Sequence, residues 1–229
     1  MRIGNIAKVG LLIMSITLPL FGCSDVEANK DVVEKALYEK YGEEFFVDRM
    51  GGDMGESPIN TNKGYAHSTT YPTRLFRVQI DKDTNEVIDN YIDVLMSIKQ
   101  EDIIQNIIIG IDAEVRCRVN SYWFPVDVEN YTSIYPYQYL TPESDATCVV
   151  FFVLKNSEEK EDIVQSIISR FRENNLQLGY RVQFKVITVN KENIQNVLFE
   201  LENYASLSSF EFRIIDEINE FTISDITID

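Results

Sequence analysis

Apolar and polar positions recur with two different periods along this chain. Val33, Leu37 and Tyr41 are spaced by four within residues 31–41, which predicts a helix, with Asn29 or Asp31 to cap its start and Gly42 to end it. Residues 43–49 switch to period two, with Phe45 and Val47 on one face. Residues 73–80 alternate more strongly, Phe76, Val78 and Ile80 against Leu75, Arg77 and Gln79. A turn at 81–85 then lets 86–89 pair back. A helix is predicted from about Tyr91 to Ile109, with Ile104, Ile107, Ile108 and Ile111 on its apolar face, and a strand at 114–120. Residues 51–68 show no period and predict a long loop, the one place where the chain could subdivide.

The C-terminal third is the most regular. Residues 146–154 are nearly all apolar, as in a central strand covered on both faces. Asn156 and Glu159 have the spacing of a capping box before a helix whose core positions are Ile163, Ile167, Ile168 and Phe171. Gly179 marks the return to an alternating strand at 181–189. A shorter helix carries Ile194, Val197, Leu198 and Leu201, and strands are predicted at 210–215 and 221–228. Strand, helix, strand in that order implies a crossover between neighbouring parallel strands. The expected fold class is therefore α+β: two layers, with a mixed sheet and strand–helix–strand crossovers in the C-terminal half, in a single domain over residues 30–229.

Composition agrees with a packed core and narrows the partners. Of 229 residues, 45% are apolar and 11% aromatic, which excludes a disordered acidic tail. The net charge of −16 disfavours nucleic acid and anionic lipid headgroups, so no nucleic-acid partner is expected.

The first 22 residues differ from the rest. Arg2 and Lys8 form a basic start without any acid, and residues 9–20 are an apolar run too short to span a bilayer but of signal-peptide length. The run ends in Leu20-Phe21-Gly22-Cys23, followed by the polar stretch 24–30. These four residues resemble a bacterial lipobox. The resemblance implies cleavage by signal peptidase II before Cys23, a diacylglycerol on its sulfur, and a palmitate-type acylated protein. Residues 1–22 would then be the signal peptide, 23–29 a lipidated tether, and the domain would sit on the extracytoplasmic face of the membrane. One acyl chain anchors marginally and two hold stably, at about 0.8 kcal/mol per buried CH₂. The helix running into Glu39-Lys-Tyr-Gly-Glu-Glu-Phe45, with Asp89-Asn-Tyr91 further on, is similar to small uncharacterised lipoproteins of low-GC Gram-positive bacteria, over residues 30–95.

Candidate chemistry is sparse. Cys117 and Cys148 lie in apolar strands; a disulfide between them and two buried free thiols are both open readings. No metal is expected, with one weak calcium alternative: Asp81, Asp83, Asn85 and Asp89 have calcium-loop spacing, but Glu86 and Ile92 stand where that loop has Gly and Glu. His67 is the sole histidine, and Ser68 is its neighbour, so any Ser-His-Asp arrangement would have to use His67. No catalytic residue, and no cofactor, is assigned. Asp127, Glu129, Glu143 and Asp145 flank an aromatic stretch and are the acids an enzyme reading would turn to first.

That stretch holds Tyr122, Trp123, Tyr131, Tyr135, Tyr137 and Tyr139, with Pro136 and Pro142 stiffening it. Tyr and Trp combine large contact area with few rotamers, which suits a binding surface; the same rings could equally seal the core. The expected function is a membrane-anchored envelope lipoprotein that binds a protein or a glycan. The alternative is a carboxylate-dependent hydrolase acting on envelope material.

Overall fold

A computed structural model describes residues 21–51, 61–121, 132–141, 146–155, 159–176, 182–189, 194–203 and 222–226. Helix α1 (Phe21–Tyr41) buries Val33, Leu37 and Tyr41, the positions spaced by four. It stops at Gly42, whose φ of +75° is open to glycine at no steric cost. Residues 23–29, read above as a lipidated tether, have helical backbone within it.

Strands β1 (Phe45–Gly51), β2 (Thr61–Ser68), β3 (Phe76–Asp81) and β4 (Val87–Asp89) form an antiparallel sheet in chain order. Strand β2 corrects the loop expected over residues 51–68. It pairs with both neighbours, Ala66 lying opposite Val47 on one side and Phe76 on the other. Its inward positions are Asn62, Gly64, Ala66 and Ser68, small or polar, so the strand carries no hydrophobic alternation for a sequence reading to detect. Gly64 is required there: a Cβ would stand 2.1 Å from the Arg49 carbonyl oxygen and 2.6 Å from the Met50 sulfur, at the β1 bulge.

Helix α2 (Tyr91–Ile107) turns through Gly110, at φ +88°, into β5 (Ala113–Ser121). Strand β5 opens a second sheet with β6 (Ala146–Leu154), β7 (Val182–Thr188) and β8 (Thr222–Ile226). Strands β6 and β7 are parallel, joined through α4 (Lys160–Glu173), and the other two pairings are antiparallel. The fold is α+β with a mixed sheet and a strand–helix–strand crossover in its C-terminal half, and its strands divide between two sheets. Asn156, Gly179 and the strand expected at 210–215 lie outside the described residues.

One core runs through both sheets, from Val33 and Leu37 to Phe152, Phe171 and Phe184. Tyr91 is its aromatic centre, with ring centroids 5.0 Å from Tyr41, 5.0 Å from Phe45 and 4.9 Å from Phe76. A second cluster forms on the far face of the second sheet, where Val197, Leu198 and Leu201 of α5 (Ile194–Asn203) meet Phe151, Val153 and Ile187.

The edge of β5 is closed by a helix. Its outward N–H groups at Val115, Cys117, Val119 and Ser121 donate to Gln105 Oε1 (3.3 Å), Glu101 Oε1 (2.7 Å), Ser97 Oγ (2.8 Å) and Asp93 Oδ2 (2.9 Å). The acceptors are every fourth residue of α2 and the donors every second residue of β5. Four helical residues rise about 6.0 Å and two strand residues about 6.6 Å, so the two rows stay in step for three intervals. Strand β1, the edge of the first sheet, has its Val47 N–H taken by Glu34 Oε1 of α1 at 2.9 Å.

Cys117 and Cys148 are both buried free thiols. Cys117 lies opposite Val150 and Cys148 opposite Val119, so the two are diagonal neighbours on one face. Diagonal Cα atoms lie about 7–8 Å apart, whereas a disulfide spans roughly 4.4–6.8 Å. Burial, and then the neighbouring Cys148 thiol, push the Cys117 thiol well above its ordinary value. Alkylation after unfolding without reductant, read by peptide mapping, is expected to label both residues. Ser97→Ala should strand the Val119 N–H in the interior and cost about 1–3 kcal/mol in urea unfolding; an unchanged midpoint would show that the row is dispensable.

Candidate functional site

The aromatic stretch divides between surface and core. Tyr122, Trp123 and Tyr131 lie outside the described residues, as do Asp127, Glu129, Glu143 and Asp145. Tyr135, Tyr137 and Tyr139 fall on one short helical turn, α3 (Pro136–Tyr139), which Tyr135 caps. Tyr139 points inward and is 5% exposed; Tyr135 and Tyr137 point outward, 56% and 37% exposed. The two outer rings stack on each other, with centroids 5.8 Å apart and planes 17° from parallel.

Two side chains of α2, Asp93 and Lys99, mount this turn on the fold. Tyr139 donates its hydroxyl hydrogen to Asp93 Oδ1 at 2.9 Å. Lys99 donates to the carbonyl oxygens of Thr132 (2.9 Å) and Ile134 (2.8 Å), and burial holds its ammonium below the ordinary lysine range. Within the turn, Gln138 Oε1 takes the Tyr135 N–H at 2.8 Å and the Gln138 N–H donates to the Tyr135 carbonyl oxygen at 2.9 Å, bracing the chain around Pro136. Lys99 and Asp93 both belong to α2, so the helix that closes β5 also carries the tyrosine turn.

Asp93 is buried and takes four hydrogen bonds. It takes the Ser121 N–H, the Ser121 hydroxyl (2.8 Å), the Tyr139 hydroxyl and the Asn90 amide (3.1 Å). Burial pushes its carboxyl above the ordinary range, against the pull of those four bonds. Glu101 is raised by burial too, opposed by Arg74, whose guanidinium contacts both its oxygens at 3.1 and 2.8 Å. Arg116 and Thr73 bind Glu202 of α5 at 2.8 and 2.9 Å, completing an ion-paired patch between the sheets. The cavity beside it, lined by Asn90, Asp93, Ser97, Arg118 and Glu202 among others, has a volume of about 10 Å³, room for one water molecule. Asp93 and Glu101 are eight residues apart on one helix, about 12 Å along its axis. Each is occupied by its own donors, and together they do not face a substrate-sized space as a glycosidase pair must.

The other sequence candidates are not brought together. Asp81 Oδ1 takes the N–H groups of Asp83 (2.8 Å) and Thr84 (2.9 Å), a hairpin turn whose backbone donors hold its carboxyl low. Asn85 sits at φ +61° in that turn. Asp89 is turned into the core instead, where it takes the Tyr41 hydroxyl (2.6 Å), Lys40 Nζ (3.0 Å) and the Tyr91 N–H (3.0 Å). The calcium alternative is thereby corrected: its fourth ligand belongs to the core. Among the described residues, no three His, Cys, Asp or Glu side chains are placed to hold a metal. His67 Nδ1 pairs with Asp48 Oδ2 at 2.8 Å, while Ser68 faces the opposite side of β2, buried against Tyr91. Strand alternation therefore separates His67 from Ser68 and excludes a triad built on the two. Among the described residues, no helix is long and apolar enough to cross a membrane.

Removing one bond to Asp93 tests how the turn is held. Tyr139→Phe is expected to cost about 1–3 kcal/mol in urea unfolding, because it leaves a buried carboxyl short of a partner. Because the folded carboxyl is raised, its burial costs stability as pH rises from the ordinary carboxylate range through the folded value. The Tyr139 hydroxyl is one of the donors that favour the charged carboxyl. The loss caused by Tyr139→Phe should therefore be larger above the folded value than near pH 4, about where an unfolded Asp titrates. Equal losses at both would place the proton elsewhere.

No protein-family model matches the chain, and no curated protein does. Among solved structures, the chain is similar to the crystal structure of a DUF5037 family protein from Ruminococcus gnavus ATCC 29149, at a TM-score of 0.56 and 18% identity, over 86% of this chain and 89% of that one. At that identity the likeness shows a shared fold and nothing more.

Proposed function

We propose that the chain is an envelope lipoprotein, held by lipid on Cys23 at the extracytoplasmic face of the membrane, whose domain binds an envelope protein or glycan through the turn bearing Tyr135 and Tyr137. The observation that carries the binding reading is the pairing of opposite roles on one turn. Tyr139 is spent on the core, and two neighbouring tyrosines are left outward and stacked on each other. A surface ring ordered in advance loses less rotamer freedom when a partner arrives. The anchoring reading rests on Leu20-Phe21-Gly22-Cys23 and the segment before it. If lipid sits on Cys23, the unbroken α1 separates it from Tyr41 by about 27 Å along the helix axis. Tyr41 and Tyr139 are both tied into the start of α2, through Asp89 and Asp93. The binding turn would then stand near the far end of α1 from the lipid.

Two experiments check this. Cys23→Ala should abolish metabolic labelling with palmitate and release the protein into the medium or stop its processing; unchanged labelling and membrane retention would overturn the anchor. Tyr135→Ala with Tyr137→Ala, both exposed, should change stability by no more than about 0.5 kcal/mol and lose partner capture in crosslinked native cells. A large drop in melting temperature would assign the two rings to the core instead.

A further inference from the structure

We infer that the turn bearing Tyr135 and Tyr137 takes an uncharged glycan, one or two sugar rings at a time; this rests on the binding reading above and names its ligand class. Area decides first. The exposed fractions of the two rings, 56% and 37%, amount to roughly 200 Å² of a tyrosine's surface. A stable protein partner covers about 800 Å² on each side. Among the described residues, the other exposed large apolar side chains (Val32, Tyr38, Phe46, Ile109 and Phe199) belong to α1, β1, the end of α2 and α5, not to this turn. Two rings are enough for the C–H face of a pyranose or two, and among the described residues no further exposed apolar side chain widens them into a protein footprint.

Charge decides next. Residues 132–141 contain no ionisable side chain other than tyrosine, in a chain of net charge −16. An anionic polymer meets repulsion from the whole molecule and no cation on the turn, since Lys99 is committed to two carbonyl oxygens. A cationic group would be drawn to tyrosine faces, but such recognition uses rings set around the cation as a cage. Here the rings lie nearly parallel and against each other. The carboxylate closest in the contacts of this turn, Asp93, is buried and takes four hydrogen bonds already. What remains outward is two ring faces, their phenol groups and the exposed side chains of Thr132 and Gln138, a set that matches sugar C–H faces flanked by polar groups.

The test is native affinity electrophoresis of the full-length protein in detergent. The gels carry hydroxyethylcellulose, soluble starch, mannan or galactomannan, with carboxymethylcellulose as the charged counterpart of the first. At least one neutral polymer should retard the protein. Tyr135→Ala with Tyr137→Ala should weaken that retardation about tenfold or more, with an unchanged melting temperature. Tyr135→Phe with Tyr137→Phe, which keeps the ring faces, should retain most of it. Retardation that survives the alanine pair, or that is stronger in carboxymethylcellulose than in its neutral counterpart, would overturn the inference. If no neutral polymer retards the protein while tyrosine-dependent capture of a cellular protein persists, the glycan is wrong and the binding reading stands. If neither occurs, both fall.

Discussion

The fold depends on how β5 is terminated. An edge strand exposes a row of N–H groups that must find acceptors or invite another strand. Here Asp93, Ser97, Glu101 and Gln105 of α2 supply them. A helix with side-chain acceptors every fourth residue thus takes the place of a fifth strand in the second sheet. The arrangement favours a single register of α2 on β5, because a slip of one residue would set apolar side chains, Val94 and Ile98 one way or Ile92, Met96 and Ile104 the other, against part of the N–H row. It also binds the sheets together: Asn90, just before α2, takes the Arg77 N–H of β3 at 2.7 Å, and Arg77 donates to the Ser121 carbonyl of β5 at 3.0 Å. Two of the four acceptors are carboxylates, which make the stronger hydrogen bonds and are the more costly to bury. Their raised proton affinity records that cost, and Arg74 offsets it only at Glu101.

Much of this was legible from the chain, and what was missed shares a physical cause. Wherever burial is apolar, the period reveals it. Residues 146–154 coincide with β6, and Ile194, Val197, Leu198 and Leu201 are the buried face of α5. Strand β2 escaped because Asn62, Gly64, Ala66 and Ser68 face inward, where only a small side chain fits beside the β1 bulge. The polar row of α2 escaped for the complementary reason: Asp, Ser, Glu and Gln at a spacing of four read as a solvated stripe, and only a neighbouring strand edge turns them into acceptors. The signal was present as polar residues recurring at core spacing inside an apolar helix.

The aromatic stretch shows the same limit at finer grain. Its composition was open to surface and to core, and the chain uses it for both. Tyr139 differs from Tyr135 and Tyr137 only in where the turn directs it, and the turn is set by Pro136, by Gln138 and by α2. No property of three tyrosines spaced by two distinguishes the one that meets Asp93. The site is therefore a product of the helix–strand register, and its outward pair is as fixed as the row that holds its inward member.

This coupling bears on how an acidic protein can present a neutral surface. At physiological salt, charges are screened beyond about 8 Å, so a bound group senses mainly what lies within that distance. A turn whose residues 132–141 carry no ionisable side chain other than tyrosine therefore offers a local environment unlike that of the chain's −16 average. The nearest charges on its inner side are already committed, Asp93 to four donors and Lys99 to two carbonyls. They position the backbone of the turn. Recognition there is left to ring geometry and hydrogen bonding, and the acidic remainder of the molecule acts at longer range, keeping anionic surfaces and polymers away from it.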